Sequence, residues 1–312
     1  MKTAVLFLLF NRPGLSKKVF EAIRQVRPPR LYISVDGPRE GVQGERAMVE
    51  EVRSIANDVD WDCKVKTRFN KENKGCRIAV STALDWFFDH ESEGIVLEDD
   101  CLPSESFFWY CQELLERYRD DERIMVISGN NFQRGWIRSN DSYYFSRYNH
   151  CWGWASWRRA WRQYDRDLQG WPEFRERGYL KDLSNGNRAF VYYWTEIFDR
   201  CARGEIDSWA YRWTFSCWSQ GGLTCLPQRN LVTNIGFGEV STHTKRGDGY
   251  VESLPLQEME LPMRHPAFVV RDSFADLRTD RMHFKINFTL LVKAWMVALL
   301  RAIPVINNVL KR

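Results

Sequence analysis

The chain has 312 residues, of which 44% are hydrophobic and 28% charged, and its formal net charge is +4. This is the composition of a folded globular protein, and so small a net charge does not indicate a nucleic-acid partner. The eight cysteines form no C-x-x-C pair, so we expect neither a zinc site nor a disulfide framework, but reduced thiols in the cytoplasm.

Apolar runs alternate with amphipathic segments through the first 130 residues. Segment 3–10 is interpreted as a β-strand rather than a secretion signal, because NRPGLSKK follows it without a small-residue cleavage pattern. Strand–helix alternation of this kind predicts βαβ units and a parallel sheet. The predicted strands are 3–10, 30–35, 64–69, 94–98 and 123–128, and the predicted helices are about 15–26, 44–58, 76–90 and 105–119.

Polar or turn-forming residues follow each of the first four predicted strands. They are 11–14, 36–39, 70–75 and the three adjacent acids at 98–100. Ligands of parallel sheets bind beyond the carboxyl ends of the strands. Adjacent carboxylates repel one another, so we expect Mn²⁺ or Mg²⁺ to neutralise their charge. These ions prefer oxygen ligands, and the oxygen atoms of a bound diphosphate would complete the coordination. A solvated acidic turn is the alternative.

The stretch GIVLEDDCLPS, preceded by NKGCRIAVSTALDWFF and followed by SFFWYCQELLERYRDDERIMVISGNNF, resembles bacterial nucleotide-sugar glycosyltransferases of the GT-A superfamily. These enzymes are related to animal N-acetylglucosaminyltransferase I, which carries the same Glu-Asp-Asp signature. The resemblance covers approximately residues 3–245. It implies a Rossmann-like α/β fold with a mixed, mainly parallel sheet flanked by helices. It also implies metal-dependent, inverting transfer from a nucleoside-diphosphate sugar, such as a UDP-sugar, to a glycan or lipid-linked acceptor in surface polysaccharide synthesis.

The resemblance also implies a domain organisation. Residues 1–250 would form the GT-A domain, with a nucleotide-sugar-binding half at 1–130 and an acceptor-side half at 131–250. Residues 251–312, which the resemblance leaves unmatched, are expected to form a C-terminal extension, and their own charge pattern predicts a basic amphipathic helix within it.

Site residues can be carried over by position. Asp100 would be the direct metal ligand, Asp99 would contact the ribose, and Glu98 would approach the donor sugar. Asp36 would contact the nucleobase, and Arg12 would lie near the nucleotide. The alternatives are a surface salt bridge for Arg12 and a turn-forming role for Asp36.

Two basic residues near the third predicted helix, Lys74 and Arg77, are further candidates for phosphate contacts. A solvated helix start would explain both of them nearly as well.

Ten of the fourteen tryptophans lie between residues 136 and 218, which is compatible with a carbohydrate acceptor site. Trp154, Trp157 and Trp161 fall at i, i+3 and i+7, a spacing that predicts one helix face packed in the core. Trp152 precedes Gly153 in a predicted loop and is the candidate for stacking on an acceptor sugar.

Asp207 is expected to cap a helix that contains Trp209 to Trp218. In related sequences this helix starts like S-W-D-Y-Q-W, and its aspartate resembles the catalytic base of inverting enzymes. The corresponding residue is Ala210, which implies an engineered or natural loss of the base, or a different mechanism. Asp207 lies three residues earlier, but its expected role is the cap, and the base role is not transferred to it.

The segment NIGFGEVSTHTKRGDG follows predicted strands at 223–226 and 229–235, and its four glycines predict a mobile lid over the donor. His243 within it is a candidate to complete the metal coordination or to contact the diphosphate. A hydrogen-bonded loop histidine is the alternative.

The tail INFTLLVKAWMVALLRAIPVINNVLKR has a longest uncharged apolar run at 294–300, far shorter than the roughly 20 residues of a membrane span. Lys285, Lys293 and Arg301 are spaced by eight residues, which predicts a basic amphipathic helix. This helix could lie on a membrane surface, pack on the domain or contact a second subunit of a homo-oligomer. The expected location is therefore the cytoplasm, including the inner face of the cell membrane.

Two other functions are compatible with this sequence. A metal-dependent nucleotidyltransferase would use a similar sheet edge, but it would carry a glycine-rich basic loop after the first strand, which NRPGLSKK matches poorly. A catalytically inactive sugar-nucleotide-binding or scaffold protein would agree with Ala210, and it would bind donor without turnover.

Overall fold

The computed structural model describes residues 1–237, 249 and 254–302. An eight-stranded sheet lies between two layers of helices, and a second, two-stranded sheet lies beside it. The strands are β1 (Val5–Leu9), β2 (Arg30–Val35), β3 (Lys64–Phe69), β4 (Glu93–Glu98), β5 (Cys101–Pro103), β6 (Ile124–Ser128), β7 (Tyr143–Ser146), β8 (Trp154–Trp157), β9 (Leu223–Pro227) and β10 (Val232–Asn234).

The helices differ widely in length, and the longer ones flank the sheet. They are α1 (Pro13–Val26), α2 (Glu45–Ser54), α3 (Gly75–His90), α4 (Glu105–Arg117), α5 (Arg158–Trp161), α6 (Trp171–Glu176), α7 (Tyr179–Leu183), α8 (Arg188–Ala202), α9 (Trp209–Ser219), α10 (Ser273–Met282) and α11 (Phe288–Ala302). A 3₁₀ turn at Ile55–Asp58 continues α2, so the predicted helix at 44–58 is present with a tightened last turn.

The large sheet is mixed and mainly parallel. Its order is β3-β2-β1-β4-β8-β6-β9-β7, and β7 and β8 run against their neighbours. The small sheet pairs β5 with β10 in antiparallel register. The predicted Rossmann-like α/β architecture with flanking helices is therefore confirmed, as are the five strands and four helices expected before residue 130.

The sheet is buried on both faces, and β1 shows why its sequence is a continuous apolar run. Val5, Phe7 and Leu9 pack into a core cluster with α1, α2 and α4. Leu6 and Leu8 point the other way, into a cluster with α3, α8 and α9. Successive side chains of a strand alternate between its faces, so a strand covered on both sides must be apolar at every position.

The predicted helix face formed by Trp154, Trp157 and Trp161 is wrong. Trp154 and Trp157 are the ends of strand β8, and Trp161 ends the short helix α5. Because side chains three apart on a strand point to opposite faces, Trp157 packs on the α4 side of the sheet and Trp154 on the α9 side. All three are buried, as the core-packing interpretation expected, but the spacing arises from a strand–helix junction.

The segment after residue 254 packs on the body of the domain. Met259 and Met263 are buried in the first core cluster, and Phe145 in β7 forms a parallel bridge with Arg271. Helix α11 is the expected C-terminal amphipathic helix. No helix in the described ranges is long and apolar enough to cross a bilayer.

Candidate functional site

A cavity of about 400 Å³ opens at the edge of the sheet where β1, β2 and β4 end. Parallel strands bring their carboxyl ends to one edge of a sheet. As a result, residues that are distant in sequence line this one cavity. They are Arg12 after β1, Asp36 after β2, Glu98 at the end of β4, and Asp99 and Asp100 after it.

Arg12 binds two of the three acidic side chains. Its Nε donates to Asp99 Oδ2 at 3.1 Å, and its Nη2 donates to Asp99 Oδ1, which makes a bidentate pair. Its Nη1 donates to Asp100 Oδ2 at 3.0 Å. All three side chains are largely buried, so this cluster is not the surface salt bridge considered from the sequence.

Glu98 lines the cavity beside two other acids. Its carboxylate accepts no hydrogen bond from any residue that the structure describes. Burial raises the pKa of Glu98, and the charges of Asp100 and Asp99 raise it further. Burial also raises the pKa of Asp99, against the opposing charge of Arg12. A cation or a set of hydrogen-bond donors in the cavity would offset this cost.

A protein-only metal cage is absent from the described residues, because no three His, Cys, Asp or Glu side chains are grouped suitably. Mg²⁺ and similar ions at nucleotide sites are instead held by one or two carboxylates, by phosphates and by water. Asp100 fits this pattern. Within the described ranges its carboxylate accepts from Arg12 and from the Cys101 thiol at 3.4 Å, which leaves lone pairs for a cation. His243, the second predicted ligand, lies outside the described residues.

The Asp36 carboxylate organises the loop between β3 and α3. Its Oδ1 accepts from the backbone N–H of Gly37 and from Asn70 Nδ2, both at 2.9 Å. Its Oδ2 accepts from Asn73 Nδ2 at 3.0 Å, and the backbone N–H of Lys74 lies 3.1 Å from both oxygens. Asp36 therefore does more than form a turn, since it fixes one wall of the cavity. Its contact with a nucleobase stays a prediction.

The two predicted phosphate contacts do not line the cavity. The Lys74 ammonium is half exposed and lies 3.8 Å from Glu72. Arg77 lies between two carboxylates, 3.4 Å from Asp207 and 3.5 Å from Asp167. The structure therefore does not bring either cation to the acidic side chains after β4.

The prediction that Asp207 caps α9 is wrong. The helix begins at Trp209, its N-cap residue is Ser208, and no side chain caps it. Asp207 instead lines the cavity, with its Oδ2 3.0 Å from the position that a Cβ on Gly75 would occupy. Ala210 is not among the lining residues and packs against the core cluster on the α9 side.

Cys76 lies at the cavity among several carboxylates. Burial raises the pKa of its thiol, and the charges of Glu98, Asp207, Asp100 and Asp36 raise it further. The thiol is thus kept protonated, which makes it unsuited to act as a nucleophile.

Trp152 lines the cavity together with Phe237, and the two rings meet edge to face with centroids 5.4 Å apart. The backbone N–H of Trp152 donates to Asn130 Oδ1 at 3.1 Å. The ring is only partly buried, so an apolar surface remains at the cavity wall.

Sequence periodicity did not predict a pair formed by Arg39 and Glu45. Arg39 lines the cavity, and its Nη2 donates to Glu45 Oε1 at 2.5 Å. Glu45 is fully buried at the start of α2, and its pKa is lowered chiefly by its hydrogen bond with Arg39. Glutamate is usually exposed at helix starts, so periodicity could not reveal this pair.

Gly236, one of the four glycines of the predicted lid, lies against the acidic turn formed by residues 98–100. A Cβ at this position would be 2.6 Å from Asp100 Oδ2, 2.7 Å from Asp100 Cβ and 2.8 Å from Arg12 Nη1. Asn234 precedes it, and its side chain accepts the Gly236 N–H at 2.8 Å. The chain after β10 therefore closes one side of the cavity.

No family model and no curated protein matches the chain. Solved structures that resemble it include HddC from Yersinia pseudotuberculosis, with 11% identity, a TM-score of 0.30, and coverage of 50% of this chain and 77% of that one. UDP-glucose pyrophosphorylase complexed with UDP-glucose has 12% identity, a TM-score of 0.26 and coverage of 47% and 62%. Mouse xyloside xylosyltransferase 1 has 9% identity, a TM-score of 0.36 and coverage of 72% and 84%. Likenesses at this level identify neither a family nor an activity.

Proposed function

We propose that this protein is a metal-dependent, inverting glycosyltransferase that uses a nucleoside-diphosphate sugar, with UDP-sugars as the first candidates, and a glycan or lipid-linked acceptor. The observation that carries the proposal is the acidic turn after β4. Glu98 has no hydrogen-bond donor among the described residues, although two further carboxylates adjoin it in a cavity at the carboxyl ends of parallel strands. Such a site suits a cation and a polyhydroxylated ligand.

In binding the nucleoside-diphosphate sugar, each acidic residue would have a distinct role. Asp100 would hold Mn²⁺ or Mg²⁺, whose charge stabilises the diphosphate leaving group when the ion is bound. Arg12 orients Asp99 and Asp100 through its three N–H groups. Glu98 would accept hydrogen bonds from hydroxyl groups of the donor sugar, and Asp99 from those of the ribose.

On the acceptor side, Asp207 is the base that the geometry favours. It is free of the predicted capping role, and its carboxylate faces the cavity that Glu98 and Asp100 line. The acceptor hydroxyl oxygen would bond to the anomeric carbon as the bond to the diphosphate breaks. The hydroxyl proton would pass to Asp207. Trp152 would support the acceptor ring.

The connection between β1 and α1 argues against a nucleotidyltransferase. β1 ends at Leu9 and α1 begins at Pro13, so only three residues join them. A glycine-rich basic loop that wraps a triphosphate does not fit in that length.

Calorimetry with a panel of nucleoside diphosphates and their sugars, in Mn²⁺ or in EDTA, tests donor binding. Asp100→Asn should weaken Mn²⁺-dependent binding at least about tenfold, or roughly 1.4 kcal/mol. Asp120→Asn is the matched control, because Asp120 is exposed between α4 and β6. This variant should bind the nucleotide with the same Mn²⁺-dependent affinity as the parent chain. Equal affinities for Asp100→Asn, with and without metal, would remove the metal assignment.

A single-turnover assay with the preferred donor, and with water as acceptor if none is known, tests the base. Asp207→Asn should slow transfer by ~10²–10⁴-fold with little change in donor affinity, because general-base assistance acts in the transition state. Ala210→Asp should then have little effect. A large gain from Ala210→Asp, with no loss from Asp207→Asn, would move the role to position 210. Donor binding without turnover in every chain would indicate a binding protein.

A further inference from the structure

Helix α11 carries an apolar face that is open to solvent. Phe288, Trp295 and Leu299 are 76%, 63% and 71% exposed, and Val292 and Met296 are also exposed. These five residues are separated by four, three, one and three positions, which places them on one side of a helix. Together with Leu291 they line a shallow groove of about 380 Å³.

The opposite side of α11 is attached to the domain. Leu290 packs against the core cluster that contains α8 and α9, and so does Leu291 at the border between this side and the groove. The helix is therefore held in one orientation, and this orientation directs the apolar face outward. An exposed apolar patch of this size on a domain usually marks a contact surface.

The sequence in and around α11 carries only positive charges. Residues 281–312 contain no Asp or Glu and six cations, Arg281, Lys285, Lys293, Arg301, Lys311 and Arg312. Arg281, Lys285 and Lys293 are exposed. Helix α8 adds Arg188, whose guanidinium carbon lies 5.9 Å from the centroid of the Trp295 ring.

We propose that α11 docks the protein on an anionic lipid surface, with its axis along the membrane and Phe288, Trp295 and Leu299 inserted among the acyl chains. An exposed apolar face within a cationic stretch is the signature of an interfacial helix, and tryptophan favours the headgroup level. The helix has 15 residues, about 22 Å in length, which is shorter than the bilayer core of about 30 Å. This length suits a helix that lies along the membrane surface.

Charge also decides against a second copy of this chain as the occupant of the face. A two-fold contact through α11 would bring the same surface of each copy together. It would bring the exposed cations Arg281, Lys285 and Lys293 of one copy close to those of the other, and residues 281–302 contain no acid to offset them. Anionic headgroups neutralise the same charges.

Co-sedimentation of the full chain with vesicles tests the proposal. The protein should bind vesicles that contain phosphatidylglycerol, bind weakly to pure phosphatidylcholine, and dissociate as salt is raised. Leu299→Glu should lower the partition coefficient on anionic vesicles by about tenfold or more, because it removes an inserted apolar side chain and adds a repelled charge. Its thermal unfolding should match that of the parent chain, since Leu299 is exposed.

Ile137→Glu is the matched control, because Ile137 is also an exposed apolar residue but lines a separate groove with Arg264 and Met263. It should bind vesicles like the parent chain. The proposal is overturned if the parent chain does not bind anionic vesicles, or if Leu299→Glu and Ile137→Glu bind equally. It is also overturned if sedimentation velocity reveals a dimer that Leu299→Glu dissociates, since α11 would then bind a second copy. None of these readouts depends on the proposed transferase activity.

Discussion

At the scale of single residues, the lack of a side chain at Gly236 is as important as the charges of the acidic turn. Gly236→Ala would place a methyl group within 2.7 Å of Asp100 Cβ, which cannot rotate away because it adjoins the backbone. We expect Asp100 and Arg12 to be displaced and Mn²⁺-dependent nucleotide affinity to fall about tenfold or more, as measured by calorimetry.

The control for this substitution is Gly14→Ala, in the first turn of α1. A Cβ at Gly14 meets no atom within 4 Å, and alanine favours helix more than glycine does by up to about 1 kcal/mol. Gly14→Ala should bind nucleotide normally and be equally or more stable to urea. Normal binding by Gly236→Ala would show that the acidic turn tolerates the displacement.

At the scale of elements, helix α10 is held to the end of β7 by buried charges. Arg147 Nη2 donates to Asp280 Oδ2 at 2.8 Å, and Ser146 Oγ donates to Asp276 Oδ1 at 2.5 Å. Asp276 Oδ2 also forms an ion pair with Arg271, whose Nε lies 3.3 Å away. Burial raises the pKa of Asp276 to about 6, although Arg147 opposes this effect.

This raised pKa makes the attachment of α10 sensitive to pH. The ordinary pKa of 3.8 lies below the folded value of about 6, so the folded state binds the proton more tightly between these values. The free energy of unfolding should therefore fall as the pH rises through this interval, by about 3 kcal/mol at most, and level off above it.

Urea unfolding at several pH values, compared with Asp276→Asn, isolates this contribution because asparagine does not titrate. The difference in free energy between the two chains should change between about pH 4 and 6 and stay constant at higher pH. For Asp120→Asn, which alters an exposed carboxylate, the free energy of unfolding should depend on pH in the same way as that of the parent chain. The same pH dependence in Asp276→Asn would disprove the raised pKa of Asp276.

Part of the fold and of the candidate site could be predicted from the sequence. Strand β1 is apolar throughout and β2 and β4 are mainly apolar, because both faces of the sheet are covered. Polar residues that line the cavity follow these strands, so both the strands and the position of the cavity were predictable. β8 was misread as a helix because Trp154 and Trp157 lie on opposite sheet faces while matching a helical interval. Glu45 and Gly236 were missed because their importance arises from contacts with chain segments that are remote in sequence.

At the scale of the whole molecule, ligand binding should raise global stability, because the cavity joins residues as distant in sequence as Leu8 and Phe237. A ligand that binds only the folded state, at 100 times its dissociation constant, adds about 2.7 kcal/mol to the free energy of unfolding. We therefore expect the preferred nucleoside diphosphate with Mn²⁺ to raise the Tm, measured by calorimetric scanning.

The same scan on Asp100→Asn should give a much smaller rise at equal ligand concentrations. Asp120→Asn should respond like the parent chain. An equal shift in all three chains would mean that the ligand stabilises the fold from a site other than the acidic turn.

The pairing of β5 with β10 implies that the cavity forms late during folding. The backbone N–H of Ile235 donates to the carbonyl of Asp100 at 2.8 Å. The acidic turn is therefore packed on this side only after a segment more than a hundred residues downstream has folded against it. Strands β1 to β4 all precede residue 99, and contacts that close short loops form sooner than those that close long ones. During synthesis, the half of the sheet that supplies the carboxylates can assemble while the cavity is still incomplete. Recovery of nucleotide binding should accordingly lag behind recovery of far-ultraviolet circular dichroism when the denatured chain is diluted into buffer.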